Sequence, residues 1–191
     1  MEALKEAIRR DGRGIGTDIV KVDCFLNHRI DTALVTAMGE ALHQAFAEDK
    51  PDLILTVEAS GIALAFAAAQ AFGNIPLVFA KKGSHRNTAD DAYVAPIFSY
   101  TKGVTYNVQV SKQYLQPGMR VLIVDDFLAN GGAAAGLRSI LEQAGCELVG
   151  IGIGVEKGFQ SGGGQLRAEG IKVVSLAIVD GIDNGRIILR D

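Results

Sequence analysis

Residues 121–136 read VLIVDDFLANGGAAAG, and the reading of this stretch decides the fold. Four β-favouring apolar residues run into the acidic pair Asp125 and Asp126, and a short turn ending in Gly131 and Gly132 then opens an alanine-rich helix. The pattern is strand, loop, helix. Glycines at such a junction let backbone N–H groups converge on an anion, and the helix N-terminus adds partial positive charge, so a phosphate fits here. The carboxylates cannot serve that phosphate. They make sense where the same ligand also offers hydroxyls or a bound Mg²⁺, as a phosphorylated sugar does. The plainer alternative is a buried strand and tight turn whose aspartates cap the next helix.

Other phosphate motifs fit worse. A nucleotide-triphosphatase loop needs Lys and then Ser or Thr after its last glycine, whereas Gly136 is followed by Leu137 and Arg138. Gly150, Gly152 and Gly154 alternate within a strand-like run and are spaced too closely for a dinucleotide fingerprint, so close packing is their expected role.

Outward from this stretch, β and α patterns alternate. LILTV, residues 53–57, has the all-apolar character of a central parallel strand; the loop EASG, an alanine-rich helix from Gly61 to Gly73 and the strand PLVFA follow, one βαβ unit. Before it, Asp31 is placed to cap a helix with Leu34, Val35, Met38, Leu42, Ala45 and Phe46 on one face, stopped by Pro51. Residues 1–10 read as a short helix, with Gly12, Gly14 and Gly16 marking an irregular turn. A second unit runs from Arg120 through a helix with Leu137, Ile140, Leu141 and Ala144, stopped at Gly145, into CELVGIGIGVEK. The tail holds the loop FQSGGGQ, a short helix and the strands KVVSLAIV and RIILR. Between Lys81 and Lys102 the periodicity breaks into the polar KKGSHRNTADD and then two hairpin arms, AYVAPIFSY and VTYNVQV. Lys81, Lys82, Arg86, Asp90 and Asp91 suit either a lid over an anionic substrate or a solvated loop.

A chain of 191 residues, 48% of them apolar, can bury one core, so one α/β domain is expected. Its formal charge of −3 without a basic cluster gives no nucleic-acid or membrane partner, and no apolar run is long enough to span a bilayer. The charged helix MEALKEAIRRDG has no signal-peptide core, and Cys24 and Cys146 give no disulfide framework, so the cytoplasm is the expected compartment. His28, His43 and His85 lack metal-ligand spacing. Alternating parallel βα units place a ligand at the carboxyl ends of the strands, where Glu58–Gly61, Asp125–Ala133, Glu156–Phe159 and the pair Lys81 and Lys82 supply donors, cations, carboxylates and an aromatic.

Residues 121–136 resemble the phosphoribosyl-pyrophosphate (PRPP) signature of type I phosphoribosyltransferases: an apolar run, two acidic residues, and a small glycine-bearing loop two positions on. The ANG of that loop, VKVDCFLNHRID and VEKGFQ extend the likeness, from MEAL to the last strands, to the bacterial-type xanthine phosphoribosyltransferases. The resemblance implies a type I phosphoribosyltransferase fold: an open, mostly parallel sheet flanked by helices, a small hood to which residues 1–30 contribute, and a flexible loop, all in one domain of residues 1–191. It implies transfer of ribosyl 5-phosphate from PRPP to xanthine in purine salvage, Mg²⁺ carried by PRPP with no direct protein ligand, and a homodimer.

Residue roles follow from that resemblance by position. Ala129, Asn130, Gly131, Gly132 and Ala133 would cradle the 5′-phosphate, with Asp125 and Asp126 facing the ribose hydroxyls. Glu58, Ala59, Ser60 and Gly61 would hold pyrophosphate, with Ser60 aimed at the leaving group and Lys81 and Lys82 adding charge. Many family members carry an acidic residue at position 129 and threonines at 130 and 133; here the backbone must do more, and Asp90 is the candidate to take the purine proton. Val20 (Leu in the family), Asn27 and Lys157 would line the base pocket. Asn27 supplies a donor and an acceptor and Lys157 donors only, which suits a 2,6-dioxopurine better than adenine. Phe159 is placed either to stack on the base or to fill core. The alternatives are transfer to hypoxanthine, guanine or adenine, and a regulator that binds PRPP without turning it over.

Overall fold

Burial on both faces is what turns these apolar runs into a central sheet. The computed structural model describes residues 1–83, 91–99 and 103–191. In chain order the elements are α1 (Glu2–Asp11), β1 (Arg13–Ile15), β2 (Ile19–Lys21), α2 (Thr32–Phe46), β3 (Leu53–Val57), α3 (Gly61–Ala71), β4 (Leu77–Lys82), β5 (Ala92–Ser99), β6 (Val104–Ser111), β7 (Arg120–Leu128), α4 (Gly132–Ala144), β8 (Glu147–Lys157), α5 (Gly162–Ala168), β9 (Val173–Asp183) and β10 (Arg186–Leu189). A π-helical turn spans Asp23–Asn27.

Eight strands form one sheet in the order β10-β9-β8-β7-β3-β4-β6-β5. The inner five, β9 to β4, are parallel, and antiparallel strands flank them on both sides. The chain leaves β3 towards β4 on one side and β7 towards β8 and β9 on the other. The strand order therefore reverses between β3 and β7, and their carboxyl ends open the crevice where an α/β sheet takes its ligand.

Both faces are covered. Leu122 and Val124 of β7 pack under α1, α2 and α3, while Val121 and Ile123 face α4, β5 and β6, the two-residue period of a strand. In β8 a Cβ at Gly150 would lie 2.4 Å from Phe46 Cε1, and one at Gly152 2.9 Å from Leu42 Cδ2. These glycines let α2 lie close against the sheet, as their alternation predicts. Asp31 caps α2 by accepting from Leu34 N at 3.1 Å. The small β1–β2 hairpin stands on the β9–β10 edge, with Gly14 N donating to Gly185 O at 2.9 Å.

Three expectations from sequence need correction. Lys81 and Lys82 are the last residues of β4, not loop, because Gln109 and Val108 of β6 pair with them. β7 runs through both aspartates to Leu128, since Phe127 and Leu128 still pair with Val155 and Glu156 of β8. α2 ends at Phe46, four residues before Lys50 adopts a left-handed conformation ahead of Pro51. The hairpin arms are β5 and β6 as read. His85, Arg86, Asp90 and Lys102 lie outside the described residues. Cys24 and Cys146 are free thiols, and His43 meets Phe72 edge-on at 4.8 Å. Among the described residues no helix is long and apolar enough to cross a membrane.

Candidate active site

The turn between β7 and α4 is held from below. Ala129 O accepts from Gly162 N at 3.1 Å, so the start of α5 supports the loop, and a Cβ at Gly162 would come within 2.5 Å of that same oxygen. Gly131 sits at φ 83°, the left-handed region that suits glycine, and caps α4. The first N–H groups of α4 have no acceptor within the helix and point out of its end. They open into a cavity of about 170 Å³ bounded by Asn130 to Ala134, Asp125 and, from the hairpin, Phe98 and Tyr106. That volume suits the phosphorylated end of a sugar rather than a whole nucleotide.

The two aspartates have different surroundings. Asp126 is 4% exposed, and its carboxylate accepts from Asn27 Nδ2 and from Ser60 Oγ, each at 3.0 Å. Asp125 lines the cavity, and the hydrogen bond its Oδ1 accepts, from Asp126 N at 2.9 Å, is local. Burial first, and then the charge of Asp126, push the Asp125 carboxyl well above the usual carboxylate range, with the backbone N–H of Asp126 and then Lys82 opposing. Gly61 makes room for it: a Cβ there would lie 2.5 Å from Asp125 Oδ1 and 2.3 Å from Thr56 Oγ1.

At the end of β3 the loop Glu58–Gly61 turns into α3. Glu58 Oε1 accepts from Lys82 N at 2.6 Å, and the Glu58–Ala59 peptide is cis. Alternation along β4 separates the two lysines. Lys82 Nζ lies 5.4 Å from the Tyr106 ring centre on the cavity side, whereas Lys81 lines a different groove with Phe79 and Tyr114. Lys81 is therefore not brought into this site. The Ser60 hydroxyl is committed to Asp126 instead of pointing at an open loop, which differs from the role expected for it.

Residues 23–164 match the phosphoribosyl transferase domain. The chain is 56% identical over 187 residues to xanthine phosphoribosyltransferase of Ruminiclostridium cellulolyticum, covering 98% of each chain, and 50% identical over 190 residues to that of Clostridioides difficile, covering all of both. The chain belongs to the phosphoribosyltransferase family. Its architecture matches adenine phosphoribosyltransferase of Rhodothermus marinus with a TM-score of 0.74 at 21% identity, over 94% of this chain and 100% of that one. The likeness to the Thermoanaerobacter pseudethanolicus enzyme of that name has a TM-score of 0.66 at 26% identity, over 78% and 81%. The type I phosphoribosyltransferase fold expected from sequence is thus the observed one.

Near the amino terminus of this phosphoribosyltransferase, Val20 is buried within β2 and Asn27 ends the π-helical turn, reaching Asp126. Lys157, at the end of β8, donates from Nζ to Asp18 O at 2.6 Å, and burial holds its pKa below the usual lysine value. It keeps two further donors. Phe159 is half-buried against the α1–α3 core, so packing accounts for it. Asp90 lies outside the described residues.

Sequence reasoning missed three groups. Tyr106 lines the cavity, its phenol pKa raised by burial and by Asp125; its signal was the alternation that puts it on the face of Val108 and Val110. Glu156, read as part of a polar loop, is 3% exposed, with Arg167 donating to its two oxygens at 2.8 and 2.7 Å and Ser175 to one of them. Burial pushes its pKa upward, but those donors together outweigh it and hold the carboxyl below the usual range. The pair fastens α5, and through Gly162 the loop of residues 129–133, to β8. Gln160 Oε1 is buried with no hydrogen-bond partner among the described residues. Nothing in its sequence context marked it.

Proposed function

We propose that this enzyme transfers ribosyl 5-phosphate from PRPP to xanthine, giving xanthosine 5′-monophosphate and pyrophosphate for purine salvage. The observation that carries the reading is the loop of residues 129–133: α4's unpaired N–H groups open into a cavity that Asp125 lines, at the point where the strand order reverses. Full-length identity of 56% to a protein named xanthine phosphoribosyltransferase supplies the base.

In this reading the C1–pyrophosphate bond breaks with its electron pair leaving on the pyrophosphate oxygen. A purine ring nitrogen gives its lone pair to C1, and the purine loses a proton. Positive charge builds on the ribose ring as the leaving group departs, so the protein's task is to position both partners and exclude water. Backbone donors of Asn130 to Ala133 hold the 5′-phosphate. Asp126, fixed by Ser60 and Asn27, and Asp125 face the ribose hydroxyls. The backbone of Glu58 to Gly61, with Lys82, lies towards the leaving pyrophosphate. Asn27 and Lys157 present donors to the oxo groups of the base, with Val20 shaping the pocket, and Asp90 is the candidate acceptor for the proton.

The site fits a divalent cation brought in with PRPP. Two adjacent buried carboxylates, Asp125 and Asp126, stand beside the cavity, and after burial the charge of Asp126 is the next largest cause of the raised Asp125 pKa, a repulsion that a cation would relieve. Mg²⁺ on the donor would supply charge neutralisation of the leaving pyrophosphate, and the carboxylates would meet it through its water shell. We take residues 1–191 to work as one domain, in the cytoplasm, and as a homodimer. Exposed Phe66, Phe79 and Tyr114 offer apolar surface for the second copy.

Pyrophosphate release measured with xanthine, hypoxanthine, guanine and adenine tests the reading. Xanthine should be strongly preferred. Equal rates with xanthine and hypoxanthine would refute the base assignment, and no release with any purine would leave a PRPP-binding regulator.

A further inference from the structure

Away from the cavity at α4, a cleft of about 440 Å³ lies between α1, the β1–β2 hairpin and the π-helical turn. Four cations line it: Arg10, Arg13, Lys21 and Arg29. Its carboxylates, Asp11 and Asp23, are engaged, Asp11 with Arg10 at 2.7 Å and Asp23 with Lys21 at 3.3 Å. The side chains of Arg13 and Arg29 make no ion pair or hydrogen bond among the described residues. The lining thus carries a formal excess of two positive charges in a chain whose formal charge is −3, so it is a local feature and not part of a generally basic surface.

Gathered like charges repel, and an anion among them relieves that cost; guanidinium forks in particular match pairs of phosphate oxygens. A nucleic-acid strand is a poor occupant. Its binding draws on an extended basic track, whereas this is one open cleft of small-ligand size on an acidic chain. We propose that this cleft binds the di- or triphosphate group of a small ligand, either free pyrophosphate or a purine nucleotide. Cys24 in the cleft and Asn27 at Asp126 belong to the same π-helical turn, which Arg29 N closes by donating to Asp23 O at 2.9 Å. An occupant bridging Arg13 and Arg29 therefore ties the hood hairpin to the turn that carries Asn27. The bearing on the base site rests on the function proposed above; the binding itself does not.

The exposed Cys24 thiol reports occupancy. The intact protein is alkylated with iodoacetamide in magnesium-free buffer, with pyrophosphate or GTP as probe, and labelling is resolved by peptide mass spectrometry. Cys24 labelling should slow several-fold while Cys146, at Gln116 O, is unchanged. An Arg13→Ala, Arg29→Ala double variant should keep its turnover, which shows that it is folded, and lose the protection. Protection by both probes assigns the free diphosphate, and protection by GTP alone assigns a nucleotide. No protection by either probe, or protection that survives in the double variant, overturns the proposal.

Discussion

Replacing Ser60 by alanine separates two roles for one hydroxyl. Asp126 is 4% exposed, and each of its oxygens has one side-chain donor, Ser60 Oγ on Oδ1 and Asn27 Nδ2 on Oδ2, both at 3.0 Å. Ser60→Ala leaves Oδ1 buried without that donor. A hydrogen bond to a charged group contributes about 1.5–3 kcal/mol. At about 1.36 kcal/mol per tenfold in rate, misplacing Asp126 in the transition state should lower kcat by about 10- to 100-fold. The loss should be specific to an intact carboxylate: in an Asp126→Asn background the same Ser60 change should cost far less, giving a coupling above about 1 kcal/mol. Initial rates of pyrophosphate release from the four proteins, with PRPP varied at saturating xanthine, measure this cycle. If Ser60 instead acts on pyrophosphate directly, the two losses add to within about 0.5 kcal/mol. A raised KM for PRPP with unchanged kcat would accompany that result, and the positioning argument would be wrong.

Gly162→Ala puts a Cβ 2.5 Å from Ala129 O and 2.6 Å from Gly131 N, both backbone, so the 129–133 loop must shift; KM for PRPP should rise about tenfold or more while the circular dichroism spectrum is kept, and an unchanged KM would show that α5 does not set the loop. Lys157→Ala removes the donor to Asp18 O and should raise KM for xanthine more than for hypoxanthine, with KM for PRPP unchanged; a uniform loss with every purine would reduce Lys157 to support of the hood. Asp125→Asn removes a carboxyl whose folded pKa is raised, so the folded state binds its proton more tightly than the unfolded chain, and its stability contribution falls as pH climbs from the ordinary aspartate range towards the raised value. The variant should therefore lose turnover yet melt higher than wild type by a margin that is absent near pH ~4 and grows towards neutrality, about 2–4 °C for each kcal/mol; a margin constant across pH would sink the burial argument.

Where local pattern and global packing agree, the sequence was legible. β3 is buried at all five positions, four of them apolar, because both its faces are covered, and the Asp31 cap and the Gly131 turn follow from their own backbone needs. The ends of strands were not legible in the same way. Polar residues look like loop, yet Asp125, Asp126 and Glu156 stay in strands because neighbouring strands continue to pair along this stretch and because partners from distant segments satisfy Asp126 and Glu156. The split between Lys81 and Lys82 needed one fact that composition lacks, namely that β4 extends two residues further and points them to opposite faces. The fastening of α5 by Glu156 and Arg167 joins residues that come close only once β8 and α5 pack, so no spacing rule announces it.

The unequal surroundings of the two aspartates imply that donor binding moves a proton. Asp126 has two side-chain donors to support its charge, whereas Asp125 is buried and faces its neighbour's charge, and these two outweigh the backbone N–H of Asp126 and favour its neutral form before ligand arrives. A ligand that brings hydroxyl donors and a divalent cation favours the ionised form, so its pKa must fall on binding and its proton must leave. Calorimetric titration with magnesium and PRPP in buffers of different ionisation enthalpy reads the protons released. Release should be largest at mildly acidic pH, decline as pH rises and free Asp125 becomes ionised on its own, and disappear in Asp125→Asn. Equal release from wild type and variant would place the moving proton elsewhere, and the account of Asp125 as the site's reserve of negative charge would fail.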